Sequence, residues 1–254
     1  MRGIEQIVII VLFVGVIALP FSRIIEFTHS KQSAEEQKLT QQEIAQQQRN
    51  EEAAQLQQLI DLILKEYSPK KMEFMRIVLP ALYKVHTKLE SDYKRVKNAI
   101  VNDNDYEFIK MMKKEYRVSS NDDLLKAIKP HPKSIALAQA AIESAWATSR
   151  FYREANNLFG VWSFDKNEPR IAASQSREGQ TIWLRKYKDI AESIEDYYKT
   201  ISTGFAYERF KEANLITDNP YELIKYLDRY SEKGQEYIDL LENIIKQNRF
   251  TLFD

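Results

Sequence analysis

The stretch Ser134-Ile135-Ala136-Leu137-Ala138-Gln139-Ala140-Ala141-Ile142-Glu143-Ser144-Ala145-Trp146-Ala147-Thr148-Ser149 decides how the rest of the chain is read. Ser134 suits an N-cap. Ile135, Ala138, Ile142, Ala145 and Ser149 follow a helical stripe, so a helix is expected over 134–149. From Ile135 to Ser149 the only charged side chain is Glu143. A surface helix would surround a glutamate with Lys, Glu and Gln, whereas the residues one turn away here are Gln139, Ala140, Trp146 and Ala147. On a helical wheel Glu143 falls about 110° from the centre of the apolar stripe, so it borders the core without entering it. Desolvation raises a carboxyl pKa, the property a general acid needs near neutral pH. The alternative is a structural glutamate bonded to buried backbone or to an arginine such as Arg150.

Downstream, Trp146, Trp162 and Trp183 crowd together with Phe151, Tyr152, Phe159 and Phe164. Such a cluster is either core or a platform for the apolar faces of sugar rings. Asn156-Asn157-Leu158-Phe159-Gly160 reads as a turn held by side-chain-to-backbone bonds, with Gly160 at an unusual backbone angle. Gly179 and the alternation Thr181-Ile182-Trp183-Leu184-Arg185-Lys186-Tyr187 suggest a short hairpin. Helices are expected again over 191–201, 221–227 and 236–247.

Upstream, Phe74, Ile77, Val78, Ala81, Leu82, Val85 and Leu89 mark an amphipathic helix over 71–99 that Pro80 is expected to kink. Shorter helices are expected at 106–116 and 122–129, the second begun by Asn121-Asp122-Asp123. Residues 28–70 read as a polar helical spacer, its Gln- and Glu-rich part 31–58 being either solvated or a self-associating coiled coil. The uncharged run 6–21 reads as a membrane anchor within 1–27, the competing reading being a cleaved signal segment. The domain plan is thus 1–27, 28–70, a helical extension 71–130 and a catalytic domain 131–254.

The composition narrows the function classes. The 37 basic and 37 acidic side chains cancel, so no net field favours nucleic acid. Without cysteine, disulfides and thiolate chemistry are excluded. His29, His86 and His131 lie far apart and no Gly-rich phosphate loop is present, so neither a metal nor a cofactor is expected.

The segment Ala138-Gln139-Ala140-Ala141-Ile142-Glu143-Ser144-Ala145-Trp146, followed by Asn156-Asn157-Leu158-Phe159-Gly160, closely resembles the bacterial glucosaminidase family, glycoside hydrolase family 73. The continuation Ala147-Thr148-Ser149-Arg150-Phe151 and the long helical lead-in resemble its Bax-type branch. The resemblance runs from about Leu79 onward. It implies a lysozyme-like, mostly helical α+β domain with a small β-lobe across a cleft, and cleavage of the β-1,4 bond after N-acetylglucosamine in peptidoglycan. Glu143 matches the family's general acid, and Tyr230 resembles its cleft tyrosine. Glu178 is the nearest match to a second glutamate on the β-lobe, with Glu168 as the alternative. Trp146, Asn157, Phe159 and Trp162 are expected to form the sugar-binding surface. Ala147 stands where the motif often has Gly, a change a helix should tolerate.

After protonation by Glu143, either a second carboxylate activates water with inversion, or the substrate's N-acetyl oxygen attacks with retention. Rival readings are a lytic transglycosylase of the same fold and a non-catalytic wall-binding scaffold. The expected setting is the bacterial inner membrane with the catalytic domain facing the periplasm or the exterior of the cell envelope.

Overall fold

The apolar repeat beginning at Phe74 forms a single long helix, α1 (Pro69–Val101), with Pro69 in its first turn, where a missing N–H is harmless. Pro80 lies on the exposed side and the helix carries on through it. In this computed structural model the described residues are 67–177 and 180–254, with scattered positions between 43 and 58; the side chains of 174–180 fall outside the description. The expected membrane anchor therefore lies outside the described residues, as does most of the spacer. The described spacer positions are helical and exposed, with Gln46 and Gln47 donating one turn ahead to Asn50 and Glu51. No helix among the described residues is long and apolar enough to cross a membrane.

Residues 65–254 form one compact unit, so the segments 71–130 and 131–254 share a core. The C-terminal half of α1 packs with α2 (Tyr106–Tyr116) and α3 (Asn121–Ile128) around Val96, Phe108, Met112 and Leu124. Ser120, one residue before the expected start, caps α3 by accepting the Asp123 N–H at 3.0 Å.

At the centre lies α4 (Lys133–Glu143), in which every residue from Lys133 to Ala141 is buried. It packs against α1, against α9 (Gln235–Gln247) and against the 3-10 turn Phe250–Phe253. The capping role expected of the Ser134 hydroxyl falls to another residue: Asp254 Oδ1 accepts the Ser134 N–H at 2.8 Å, a carboxylate at the positive end of the helix.

The β-lobe is one antiparallel hairpin, β1 (Arg170–Arg177) and β2 (Gln180–Arg185), with Arg170 opposite Arg185 and Ala172 opposite Trp183. The register is irregular between Ala172 and Ser176. Arg150, on α5 (Arg150–Ala155), ties the hairpin down by donating to the Ala172 carbonyl at 2.5 Å. From β2, Arg185 Nη1 reaches both oxygens of Asp196 on α6 (Ile190–Thr203) at 2.9 and 2.8 Å. Tyr187 donates to the same carboxylate at 2.6 Å. Two further helices, α7 (Glu208–Ile216) and α8 (Pro220–Leu223), lead to α9. The architecture is mostly α, with a two-stranded β-lobe.

Candidate active site

The helix expected over 134–149 ends early. After Glu143 the backbone passes through Ser144 and enters the left-handed region for three successive non-glycine residues, Ala145, Trp146 and Ala147, with φ of 52°, 62° and 57°. Each costs roughly 1–2 kcal/mol for an L-residue, and a web of bonds offsets this. The Trp146 N–H returns to the Ala141 carbonyl at 2.8 Å and the Ser149 N–H to the Ser144 carbonyl at 2.9 Å. The Ser144 hydroxyl donates to the Ala140 carbonyl at 2.5 Å and accepts the Ala147 N–H at 2.8 Å. Ala147 is therefore not in a helix, and the glycine common in the resembling motif suits its positive φ.

This turn places Glu143 on the last helical residue and carries Trp146 away from it. The Trp146 ring meets Phe74 edge-on at 5.2 Å and Phe250 at 6.2 Å, with Lys71 Nζ 5.0 Å from its centroid. Trp146, partly exposed, packs between α1 and the chain's last turn.

Glu143 is half-buried, and its Oε1 accepts the Tyr237 hydroxyl at 3.0 Å. Tyr237 stacks on Tyr230 at 5.4 Å with 14° between the planes, and Tyr207 lies 6.3 Å beyond Tyr230. The rings gathered at the carboxyl are thus tyrosines of the C-terminal third. Burial pushes the Glu143 pKa above its ordinary value, while the Tyr237 hydrogen bond and Lys233 pull against it. Burial, and then the Glu143 carboxylate, raise the Tyr230 phenol; burial, and then Tyr230 and Glu143, raise that of Tyr237. Both remain hydroxyl donors at any working pH. The arginine partner considered above is not used: Arg150 donates to Glu154 at 3.1 Å and to the hairpin.

The other expected residues divide. Asn157, 1% exposed, spends its amide on the loop, donating to the Val161 and Arg185 carbonyls at 3.0 and 2.9 Å and accepting the Val161 N–H at 3.0 Å. Phe159, 6% exposed, stacks on Tyr197 at 4.0 Å. Neither presents a surface to a sugar; both hold the turn, in which Gly160 has the expected positive φ of 64°. Trp162 is 42% exposed beside Phe164 at 84%, their centroids 6.2 Å apart. Glu178 lies outside the described residues. Glu168 is engaged by Arg185 Nε at 3.3 Å. Tyr237, the hydrogen-bond partner of Glu143, was not singled out from the sequence. Its place seven residues after Tyr230, at the start of the last amphipathic helix, was the available signal.

Comparison with known proteins gives a consistent picture. A family model described as "Glucosaminidase: Mannosyl-glycoprotein endo-beta-N-acetylglucosaminidase" matches residues 118–250. Protein bax of Escherichia coli strain K12 is 23% identical over 204 residues, covering 72% of this chain and 71% of that one. Among solved structures, the catalytic domain of the autolysin Auto from Listeria monocytogenes is 21% identical with a TM-score of 0.42, covering 59% of this chain and 86% of that one. A C-terminally truncated glycoside hydrolase domain of FlgJ from Salmonella typhimurium is also 21% identical, with a TM-score of 0.38 and coverage of 56% and 96%.

Proposed function

The chain belongs to the glucosaminidase family, glycoside hydrolase family 73, and is a glycoside hydrolase; from that premise we propose that it hydrolyses the β-1,4 bond after N-acetylglucosamine in peptidoglycan, with Glu143 as general acid. The observation that carries this reading is the Glu143 carboxyl itself. It is half-buried at a helix end, its pKa is raised by desolvation, and tyrosine hydroxyls rather than an arginine face it. A carboxyl whose pKa is raised is suited to give its proton to a glycosidic oxygen as the bond to the anomeric carbon breaks. The electrons of that bond leave with the protonated oxygen, and positive charge develops on the sugar. Tyr230, a neutral phenol beside the carboxyl, orients the N-acetyl group or supports that charge. Trp162 and Phe164, both open to solvent on the β-lobe side, offer the faces on which sugar rings stack.

Two routes complete the reaction. Glu178 activates a water on the opposite face, with inversion, or the substrate's N-acetyl oxygen attacks, with retention. The engagement of Glu168 with Arg185 leaves it poorly suited to the first. The uncharged run 6–21 is assigned to a membrane tether, with the hydrolase on the periplasmic side of the inner membrane.

Digestion of purified wall sacs by the full chain tests the reading. New reducing ends on N-acetylglucosamine are expected, and their initial anomeric form separates the two routes. A 1,6-anhydro product would instead establish a lytic transglycosylase, and binding without released sugar a scaffold. Glu143→Gln is expected to lower turnover at least about 10²-fold with the fold intact; near-parental turnover would remove Glu143 from the mechanism.

A further inference from the structure

Behind Glu143 runs a line of buried polar side chains that the reaction above does not use. Tyr237 Oη, which donates to Glu143 Oε1 at 3.0 Å, itself accepts from Gln139 Nε2 at 3.2 Å. Gln139 Oε1 accepts from the Tyr197 hydroxyl at 2.5 Å, and that hydroxyl meets His131 Nε2 at 2.7 Å. Gln139 is 0% exposed and stands one turn before Glu143 on α4, so the two side chains share a face. The Tyr197 ring is held by its stack on Phe159, with 11° between the planes. His131 is enclosed by Tyr198 at 4.5 Å and Phe210 at 5.4 Å.

The direction of each link is set by the Gln139 amide, whose oxygen faces Tyr197 and whose nitrogen faces Tyr237. Burial holds the His131 pKa down to about 3, so the ring is neutral and carries one hydrogen. The Tyr197 hydrogen is committed to Gln139, so the His131 hydrogen sits on Nε2 and points at the Tyr197 oxygen. With its own oxygen taken by Tyr197, the Gln139 amide presents N–H to Tyr237, whose hydrogen then points at Glu143. An amide in this position orients its neighbours; it does not conduct protons along the line. Because Gln139 occupies the accepting side of the Tyr237 oxygen, Tyr237 gives a hydrogen bond to Glu143 and cannot readily take one. A proton on the side of Oε1 that faces Tyr237 would have to point at that oxygen.

We propose that Gln139 is a positioning residue: by making Tyr237 a donor to Oε1, it keeps the acidic proton of Glu143 on Oε2, the oxygen left for the substrate. The proposal rests on the reading of Glu143 as general acid. Loss of Gln139 opens the Tyr237 oxygen to the Glu143 proton, which is then parked at the rear of the site. It also leaves Tyr237 a less polarised donor to the carboxylate. Both changes favour the protonated form. The other groups facing Glu143 are Lys233, before α9, and Tyr230, and neither depends on Gln139.

The test follows the pH dependence of wall-glycan cleavage by the full chain for the parent, Gln139→Leu, Tyr197→Phe and Glu143→Gln. In Gln139→Leu, kcat is expected to fall about tenfold with KM unchanged, and the alkaline limb of kcat/KM to move up by roughly one pH unit. Tyr197→Phe, which frees the far end of the amide, is expected to move the limb the same way by less. A purely structural role for Gln139 would lower Tm and the active fraction without moving the limb. A limb at the parental pH in Gln139→Leu overturns the proposal. Should that variant fail to fold, an unmoved limb in Tyr197→Phe does so. An inactive Glu143→Gln with unmoved limbs in the other variants removes the positioning role and leaves the general acid in place, whereas an active Glu143→Gln removes both.

Discussion

At Glu143 burial and charge oppose each other, and the conflict has a measurable sign. Its pKa is raised in the folded chain, chiefly by desolvation, so the native state binds this proton more tightly than the unfolded state does. The native state is therefore favoured below the ordinary glutamate range, and that contribution is lost as pH rises through the raised value. Glu143→Gln keeps an acceptor for Tyr237 and removes the charge. Its Tm is expected to match the parent in acid and to exceed it at neutral pH, and a Tm series across pH checks this. The neighbouring left-handed turn holds strain of a different kind. Ala147 at φ 57° should gain from Ala147→Gly, because relief of roughly 1–2 kcal/mol of steric strain outweighs the roughly 0.4–1 kcal/mol entropic cost of a new glycine. Denaturant unfolding should show the variant more stable by about 0.5–1 kcal/mol. Glu143 was legible in the sequence because a lone charge in an alanine-rich helix is conspicuous. The turn was not, because alanine gives no sign of positive φ and its bonds come from Ser144 and backbone groups.

At the scale of elements, Trp146 and Trp162, both expected at a sugar surface, sit in opposite settings. Trp146 is wedged between Phe74 of α1 and Phe250, so Trp146→Ala should destabilise the fold by roughly 3 kcal/mol and leave KM for wall glycan near the parental value in the folded fraction. Trp162, open to solvent beside Phe164, should behave in the opposite way: Trp162→Ala raises KM with Tm nearly unchanged. Unfolding curves and steady-state kinetics on the same pair of variants check both. Helices with strong apolar repeats, α1, α6 and α9, were readable from sequence. By contrast, α7 went unread because Phe210 and Asn214 are its buried positions, too few to make a period. The first strand, Arg170–Arg177, shows no apolar alternation and is held from outside, by Arg150 and by its pairing with β2. The turn at 156–160 was readable because Asn and Gly signal it directly, but side chains committed to folding a loop look, in sequence, the same as side chains committed to a ligand.

The family match covers residues 118–250, yet the compact unit begins at residue 65, and this difference has consequences for the whole molecule. α1 lies before the matched segment and packs on α3, α4 and α6. Its Phe74, Met75, Val78, Leu79, Leu82 and Val85 are almost wholly buried. The last turn closes the same region from the other end, where Tyr83 donates to the Phe253 carbonyl at 3.0 Å and Lys133 to the Asp254 carbonyl at 3.0 Å. Burial of large apolar side chains contributes roughly 1.5–3 kcal/mol each, so these six α1 side chains together are comparable with the roughly 5–15 kcal/mol total stability of a domain. A chain cut to residues 118–254 would keep every residue at Glu143, including Gln139, Tyr230 and Tyr237, and still expose the back of α4. It is expected to show no cooperative unfolding transition and no hydrolysis, while removal of residues 1–64 leaves both intact. Calorimetry and sac digestion on the two truncations decide the matter. Cooperative melting of 118–254 would mean that the long first helix is an ornament on a self-sufficient hydrolase, not one wall of its core.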